Sequence, residues 1–306
     1  MLFSKNEDGY WSKIMQNKTI SAYFFLAPAL MAIFVFFFIP VIAAFIISFT
    51  DFDIYSLSNY GNARFVGFDN YLRLFYDPLF WTALQNTFYF VIVSAPLSIM
   101  VSLTAAIMLN SKLVKFKSLF RLNFFIPVIT TLIAVAIVWR FIYHPKFGFL
   151  NYALELVGIG SIDWLGDPNF SMPAIIIMSV WKNFGYNMII FIAGLQNIPE
   201  YLYEAAEIEG ATGFQKFKFI TIPMLAPTTL FVGIITMIGY FQLFAEPYIM
   251  TQGGPLNSTL SIVQYMYQEG FRWWNMGYSA AIAFVLFAVI MIGTVIQMKI
   301  QKNANV

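Results

Sequence analysis

Two groups of polar residues, set among apolar stretches, are where this chain could do chemistry. The first is acidic: Glu200, Glu204 and Glu207 fall at i, i+4 and i+7 and share one helix face. Such a face forms charge-assisted hydrogen bonds with a basic groove, most strongly with arginine; the plainer alternative is a solvated acidic surface. The second group is hydroxyl- and amide-rich. Ser179, Lys182, Asn183 and Tyr186 fall at i, i+3, i+4 and i+7, and Thr236, Tyr240, Leu243 and Pro247 form a second helical stripe, with Gln242 and Glu246 beside it. These side chains supply hydrogen-bond partners for a polyhydroxylated ligand and aromatic faces for its C–H surface. They serve equally as glue between helices. Lys182 and Glu246 are ionisable groups within apolar stretches, which marks them as functional candidates, or as a pair that neutralises itself.

Other chemistry is excluded. No G-x-x-x-x-G-K-[ST] run exists, so the chain has no P-loop for ATP. There is no cysteine, hence no disulfide framework or thiol catalysis. His144, the single histidine, stands before Pro145 and is assigned no role. No metal site, cofactor or catalytic residue is expected, and the chain is not read as an enzyme.

The elements that must position these groups are membrane spans. Of 306 residues, 60% are hydrophobic and 10% charged, with a mean hydropathy of +0.73, against roughly 25% charged in soluble domains. The net charge of +2 is too small to suggest a nucleic-acid partner. Six apolar segments, near 22–49, 84–109, 122–143, 172–196, 224–248 and 277–298, each approach the ~20 residues a spanning helix needs. The first is too long for a signal-peptide core of about 7–15 residues and is read as a retained span. Pro28 and Pro40 predict kinks in it. Residues 1–21, 110–121, 197–223 and 299–306 carry eleven Lys and Arg, the opposite loops and the end of the third span five, and Lys182 is the seventeenth. That excess predicts a cytoplasmic N-terminal lead-in (1–21), a transmembrane domain (22–298) and a cytoplasmic tail (299–306), with both termini inside. Trp81, Trp139, Trp273 and Trp274 fall near the expected interfaces.

Between the fourth and fifth spans lies Asn197–Pro227, a polar stretch with helical character. Pro199 predicts a helix start and Gly210 its stop at φ > 0. Thr212 with Gln215 predicts a capping box opening a second short helix, which Pro223 is expected to end. Leu202, Ala205, Ala206 and Glu209 turn away from the acidic face, and the adjacent alanines leave room for close contact.

Glu204-Ala205-Ala206, Gly210, Ile220 and Ile222-Pro223 resemble the EAA loop of ABC-importer membrane subunits, departing from its usual pattern at Glu209 and Ile222. Leu26-Ala27-Pro28, Val66-Gly67-Phe68-Asp69-Asn70-Tyr71, Asn86-Thr87, Trp164-Leu165-Gly166-Asp167-Pro168 and Gly253-Gly254-Pro255 extend the resemblance to the carbohydrate-uptake branch over nearly the whole chain. The resemblance implies an all-α, six-helix permease of the MetI-like, type I fold in a bacterial plasma (inner) membrane. It implies a second homologous permease, a cytoplasmic ATPase dimer, an extracellular or periplasmic solute-binding protein and a carbohydrate substrate, such as an oligosaccharide or glycoside. Glu200, Glu204, Ala205, Ala206, Glu207 and Gly210 would then couple to the ATPase, with Glu204 facing an arginine. Ser179, Lys182, Asn183, Tyr186, Thr236, Tyr240 and Leu243 would surround the substrate. Alternating access would follow from ATP-driven closure of the ATPase subunits.

Two rival classes remain open on sequence. An ion-coupled secondary sugar transporter needs an intramembrane carboxylate, and Glu246 is the clear candidate; the inverted repeats and broken helices common in such folds are not read here. A membrane scaffold recruiting a partner through the acidic loop leaves both polar stripes without a purpose.

Overall fold

The structure is a computed structural model and describes residues 18–58, 60–111 and 114–304. The lead-in before residue 18 and Lys112 therefore lie outside the described residues. Among the described residues the fold is helical, with one isolated bridge between Thr50 and Phe65.

The first span runs through α1 (Lys18–Ile33), a π-helical turn (Phe34–Phe38) and α2 (Ile39–Ile47). The π turn ends two residues before Pro40, where the missing N–H breaks the ladder. Almost all of this helix is exposed; it touches the bundle near its C-terminal end, where Phe45 meets Phe284 edge to face at 5.0 Å. Short helices α3 (Ile54–Ser58) and α4 (Asp69–Tyr76) lead to α5 (Pro78–Asn110). Asp77 caps α5, accepting from the amides of Leu79 and Phe80, and also accepts the hydroxyls of Tyr265 and Tyr278. Burial pushes the Asp77 pKa up, but these hydrogen bonds outweigh it and hold the carboxyl below its ordinary value.

The third span is not one rod. α6 (Lys117–Ile129) and α7 (Leu132–Ile142) meet at 98°. Thr130 and Thr131 between them are extended, with ψ of 139° and 135°, three residues after Pro127. Short α8 (Phe149–Leu156) leads to α9 (Pro168–Gln196), the most deeply buried span. α5 and α9 pack together extensively, and Ser102 Oγ donates to the Phe184 carbonyl at 2.9 Å. α6 lies directly on α9: a Cβ on Gly185 would sit 2.0 Å from the Phe124 carbonyl oxygen.

α10 (Glu200–Ile208) and the run α11 (Gly213–Lys216), π turn (Phe217–Thr221) and α12 (Ile222–Met224) form the helix–turn–helix. Pro223 does not end the second helix, as the sequence had suggested. A π turn just ahead of it absorbs its missing N–H, as before Pro40, and the helix continues to Met224. The break comes at Leu225 (ψ −4°), where the chain bends 61° into α13 (Ala226–Phe241). Pro227 has no N–H to continue the ladder across that point.

The fifth span is also shorter than read. It stops at Phe241 rather than 248, and residues 245–250 form a separate helix, α14 (Ala245–Met250), packed against α7 and α9. α15 (Ile262–Tyr267), a π turn (Gln268–Arg272) and α16 (Met276–Ala304) complete the chain. Among the described residues four helices are long and apolar enough to cross a membrane, or up to six if each bent pair is one span. The sequence reading of unbroken helices is thus corrected at two spans: Thr130 and Thr131 release the backbone in the third, and the fifth stops at Phe241, where no Thr or Pro stands at residues 242–244.

Two clusters fill the interior. One surrounds Phe90, Ile175, Met178, Tyr265 and Ile282; the other surrounds Ala106, Met188, Phe191, Leu225 and Val232, next to the helix–turn–helix. Between spans, lipid is as apolar as leucine, so these contacts stabilise by close packing rather than by transfer from water.

Candidate functional site: a cavity between spans and the turn beneath it

The bends open a cavity of about 390 Å³. α9 contributes Lys182, Asn183, Tyr186 and Asn187; α13 contributes Ile235, Thr236, Gly239 and Tyr240; Val128 enters from α6 and Glu246 from α14. The helical spacing of the first stripe explains why its members emerge together. Asn183 donates to the Ser179 carbonyl one turn back at 3.0 Å, which fixes its amide at the cavity wall. Asn187 bridges the facing helices, donating to Thr236 Oγ1 at 2.9 Å and Ser98 Oγ at 3.4 Å. Tyr240 packs edge to face on Phe90 at 5.2 Å, and its buried hydroxyl lies beside Ser98 and Asn183. Tyr186 is half-exposed, offering a ring face at the cavity edge. Lys182 Nζ lies 3.5 Å from the Val128 carbonyl, one of the orphan acceptors at the broken end of α6.

Five of the seven residues read as a substrate set therefore converge: Lys182, Asn183, Tyr186, Thr236 and Tyr240. Ser179 and Leu243 do not line the cavity. Ser179 is fully buried one turn away on α9, and Leu243 lies in the core beyond the end of α13, its carbonyl accepting from Ser261 Oγ. Leu243 was placed by continuing a helical spacing past Phe241, where the helix stops. The lining also includes Asn187, which the sequence reading passed over although it stands one turn beyond Asn183. Glu246 enters only because the chain breaks and α14 packs back against α9.

The helix–turn–helix is built locally. Pro199 precedes the first residue of α10. Gly210 has φ +79°, and the Gly210 and Ala211 amides donate to the carbonyls of Glu207 and Ala206 at 3.0 and 2.8 Å, a Schellman stop. Thr212 and Gln215 form the expected capping box. Glu200, Glu204 and Glu207 are all exposed. Glu207 also accepts from Lys216 Nζ at 2.6 Å, tying α10 to α11. Tyr203 and Thr221 hydroxyls meet at 2.9 Å, linking α10 to the π turn. Ala205, Ala206, Gly210 and Gln215 face a cleft of about 490 Å³ between the two helices.

Comparison with known proteins places this geometry. The model of the binding-protein-dependent transport system inner membrane component family matches residues 19–304. The chain is 38% identical over 295 residues to the arabinooligosaccharides transport system permease protein AraP of Bacillus subtilis (strain 168), covering 96% of this chain and 92% of that one. It is 36% identical over 291 residues to the lactose transport system permease protein LacF of Rhizobium radiobacter, covering 94% and 95%. In fold it resembles a chain of a bacterial alginate ABC transporter in complex with an alginate pentasaccharide-bound periplasmic protein, with a TM-score of 0.81, 20% identity and coverage of 96% and 98%. The chain belongs to the family of binding-protein-dependent transport system inner membrane components.

Proposed function

We propose that this chain forms, with a second homologous permease, the membrane path for a carbohydrate, an oligosaccharide or glycoside, imported at the expense of ATP. The observation that carries the reading is the cavity between α9 and α13, lined by amide, hydroxyl and aromatic side chains and adjoining the two spans that flank the helix–turn–helix. Relatives named for arabinooligosaccharide and lactose transport support the substrate class. Residues 197–223 dock on a cytoplasmic ATPase dimer, with Glu204 as an ion-pair partner and Ala205, Ala206 and Gly210 allowing close approach. Closure of the ATPases on ATP moves α10, and the bend at Leu225 passes that motion to α13, one wall of the cavity. A solute-binding protein delivers substrate at the opposite end. Both termini face the cytoplasm.

The test is uptake of labelled neutral oligosaccharides, arabinotriose and lactose among them, into proteoliposomes holding the complete complex. Uptake should require both internal ATP and the binding protein. Uptake that survives without ATP and collapses with an uncoupler would instead identify an ion-coupled carrier. Orientation is read separately by adding single cysteines at Ser58, Asn257 and Gln215, in a chain that has none of its own. A membrane-impermeant thiol reagent should label the first two from outside and not the third.

A further inference from the structure

Glu246 has more acceptor capacity than the fold uses. It stands in the first turn of α14, where its carboxylate accepts from its own backbone amide and the N-cap residue, Phe244, adds no side-chain cap. Its charged neighbour is Lys182, but no direct ion pair joins them; the ammonium turns to the Val128 carbonyl instead. Among the described residues no other side chain hydrogen-bonds the Glu246 carboxylate, which lines the cavity with Asn183, Thr236 and Tyr240. Gly239 opposite leaves open space, since a Cβ there would meet nothing within 4 Å. A carboxylate with unspent acceptor capacity in a cavity needs donors, because a charge without partners in such surroundings is costly.

We infer that Glu246 is a substrate-contacting residue that selects neutral polyols: its two oxygens accept hydrogen bonds from neighbouring sugar hydroxyls, while its charge turns away sugars bearing a carboxylate, sulfonate or phosphate. The inference rests on the reading of the cavity as a carbohydrate site. A vicinal diol offers two donors at a spacing one carboxylate can accept together. Lys182 turns to the Val128 carbonyl rather than to the carboxylate, so the repulsion that Glu246 exerts on an anionic group beside it is local and is not cancelled by a direct ion pair. Discrimination then comes from an unfavourable contact built against the wrong ligand as much as from a favourable one to the right ligand. The break at residues 242–244 is what allows this, by bringing α14 back beside α9 rather than onward along α13.

The experiment measures sugar binding directly on the complete permease–ATPase complex in nanodiscs without the binding protein, so that the binding protein's own preference does not intervene. Saturation-transfer NMR titrations would compare neutral di- and trisaccharides, lactose and arabinotriose included, with the carboxylated counterpart of whichever binds, lactobionate in the case of lactose. Wild type should bind the neutral sugar and bind the carboxylated one at least about tenfold more weakly. Glu246→Gln should weaken the neutral sugar about three- to tenfold, the difference expected between hydrogen bonds to a charged acceptor and to the neutral amide that replaces it, and strengthen the carboxylated one, shifting their ratio about tenfold or more. Lys182→Gln should move the ratio the other way. Glu246→Asp keeps the charge and should keep the exclusion, and it decides the matter if Glu246→Gln does not assemble with its partners. An unchanged ratio in Glu246→Gln, or loss of the exclusion in Glu246→Asp, would overturn the inference while leaving the carbohydrate reading in place. Absence of binding by every neutral sugar to wild type would overturn both.

Discussion

The helix–turn–helix at 200–224 and the cavity above it are adjacent in the chain but are specified by different physics. In the turn, contacts stay within the segment: most span a few residues, and the longest joins Tyr203 to Thr221. Gly210 adopts φ +79° with open space around it, Ala211 reaches back to Ala206, and Thr212 and Gln215 cap each other. In the cavity, contacts join distant segments: Asn187 to Ser98 and Thr236, Lys182 to Val128, Gly185 against Phe124. A turn written locally can move as a unit without losing its shape. A cavity held by contacts between helices must change shape when those helices shift. That division of labour suits a transporter, in which one part transmits motion and the other is remodelled by it.

The comparison breaks most sharply at its two glycines. Gly185→Val should be the largest effect. Its first side-chain carbon would lie 2.0 Å from a backbone carbonyl oxygen, an overlap that no rotamer relieves. The expected outcome is loss of assembled complex, seen as failure to co-purify with its partner subunits. Gly210→Val meets no neighbour but forces a branched side chain into a left-handed turn, at a cost of about 1–2 kcal/mol. That variant should reach the membrane and fail in uptake, and Glu204→Lys should do the same by reversing a docking charge. If either assembled and transported at the native rate, the coupling role of that residue would be wrong.

Smaller changes sharpen the contrast. Asn187→Ala removes a bridge between α5, α9 and α13 and should cost about 0.6–2 kcal/mol in reversible detergent unfolding of the subunit. Thr212→Ala removes one cap of an exposed helix and should cost no more than about 1 kcal/mol, confined to hydrogen exchange in residues 212–217. A global loss of stability from the cap, or none from the bridge, would reverse the assignment of local and long-range control.

The same division explains what was legible in the sequence. Pro199, Gly210 and the Thr212–Gln215 box announce their geometry in residue type and short spacing, and the structure follows them. The stripe from Lys182 to Tyr186 was legible because α9 is unbroken there. Leu243 was misplaced because spacing was carried through a helix end at Phe241 that hydropathy does not mark. The bend after Ile129 was not marked for a similar reason: Thr130 and Thr131 sit within an apolar run, and α9 and α14 pack beside the two halves. Pro223 was misjudged as a stop because a π turn, a device with no strong sequence signature, absorbs it.

The central claim is that the cavity holds the sugar while the turn couples to ATP, and one paired measurement tests it. Uptake and binding-protein-stimulated ATP hydrolysis are followed side by side for Asn183→Ala, Tyr186→Ala and Tyr240→Ala in the reconstituted complex. Each lost hydrogen bond should weaken the site about two- to tenfold, and Tyr240→Ala more, since it also removes a ring face. The account predicts that uptake falls further than hydrolysis in all three. Unchanged uptake across a range of sugar concentrations, or equal loss of both activities in all three, would contradict it.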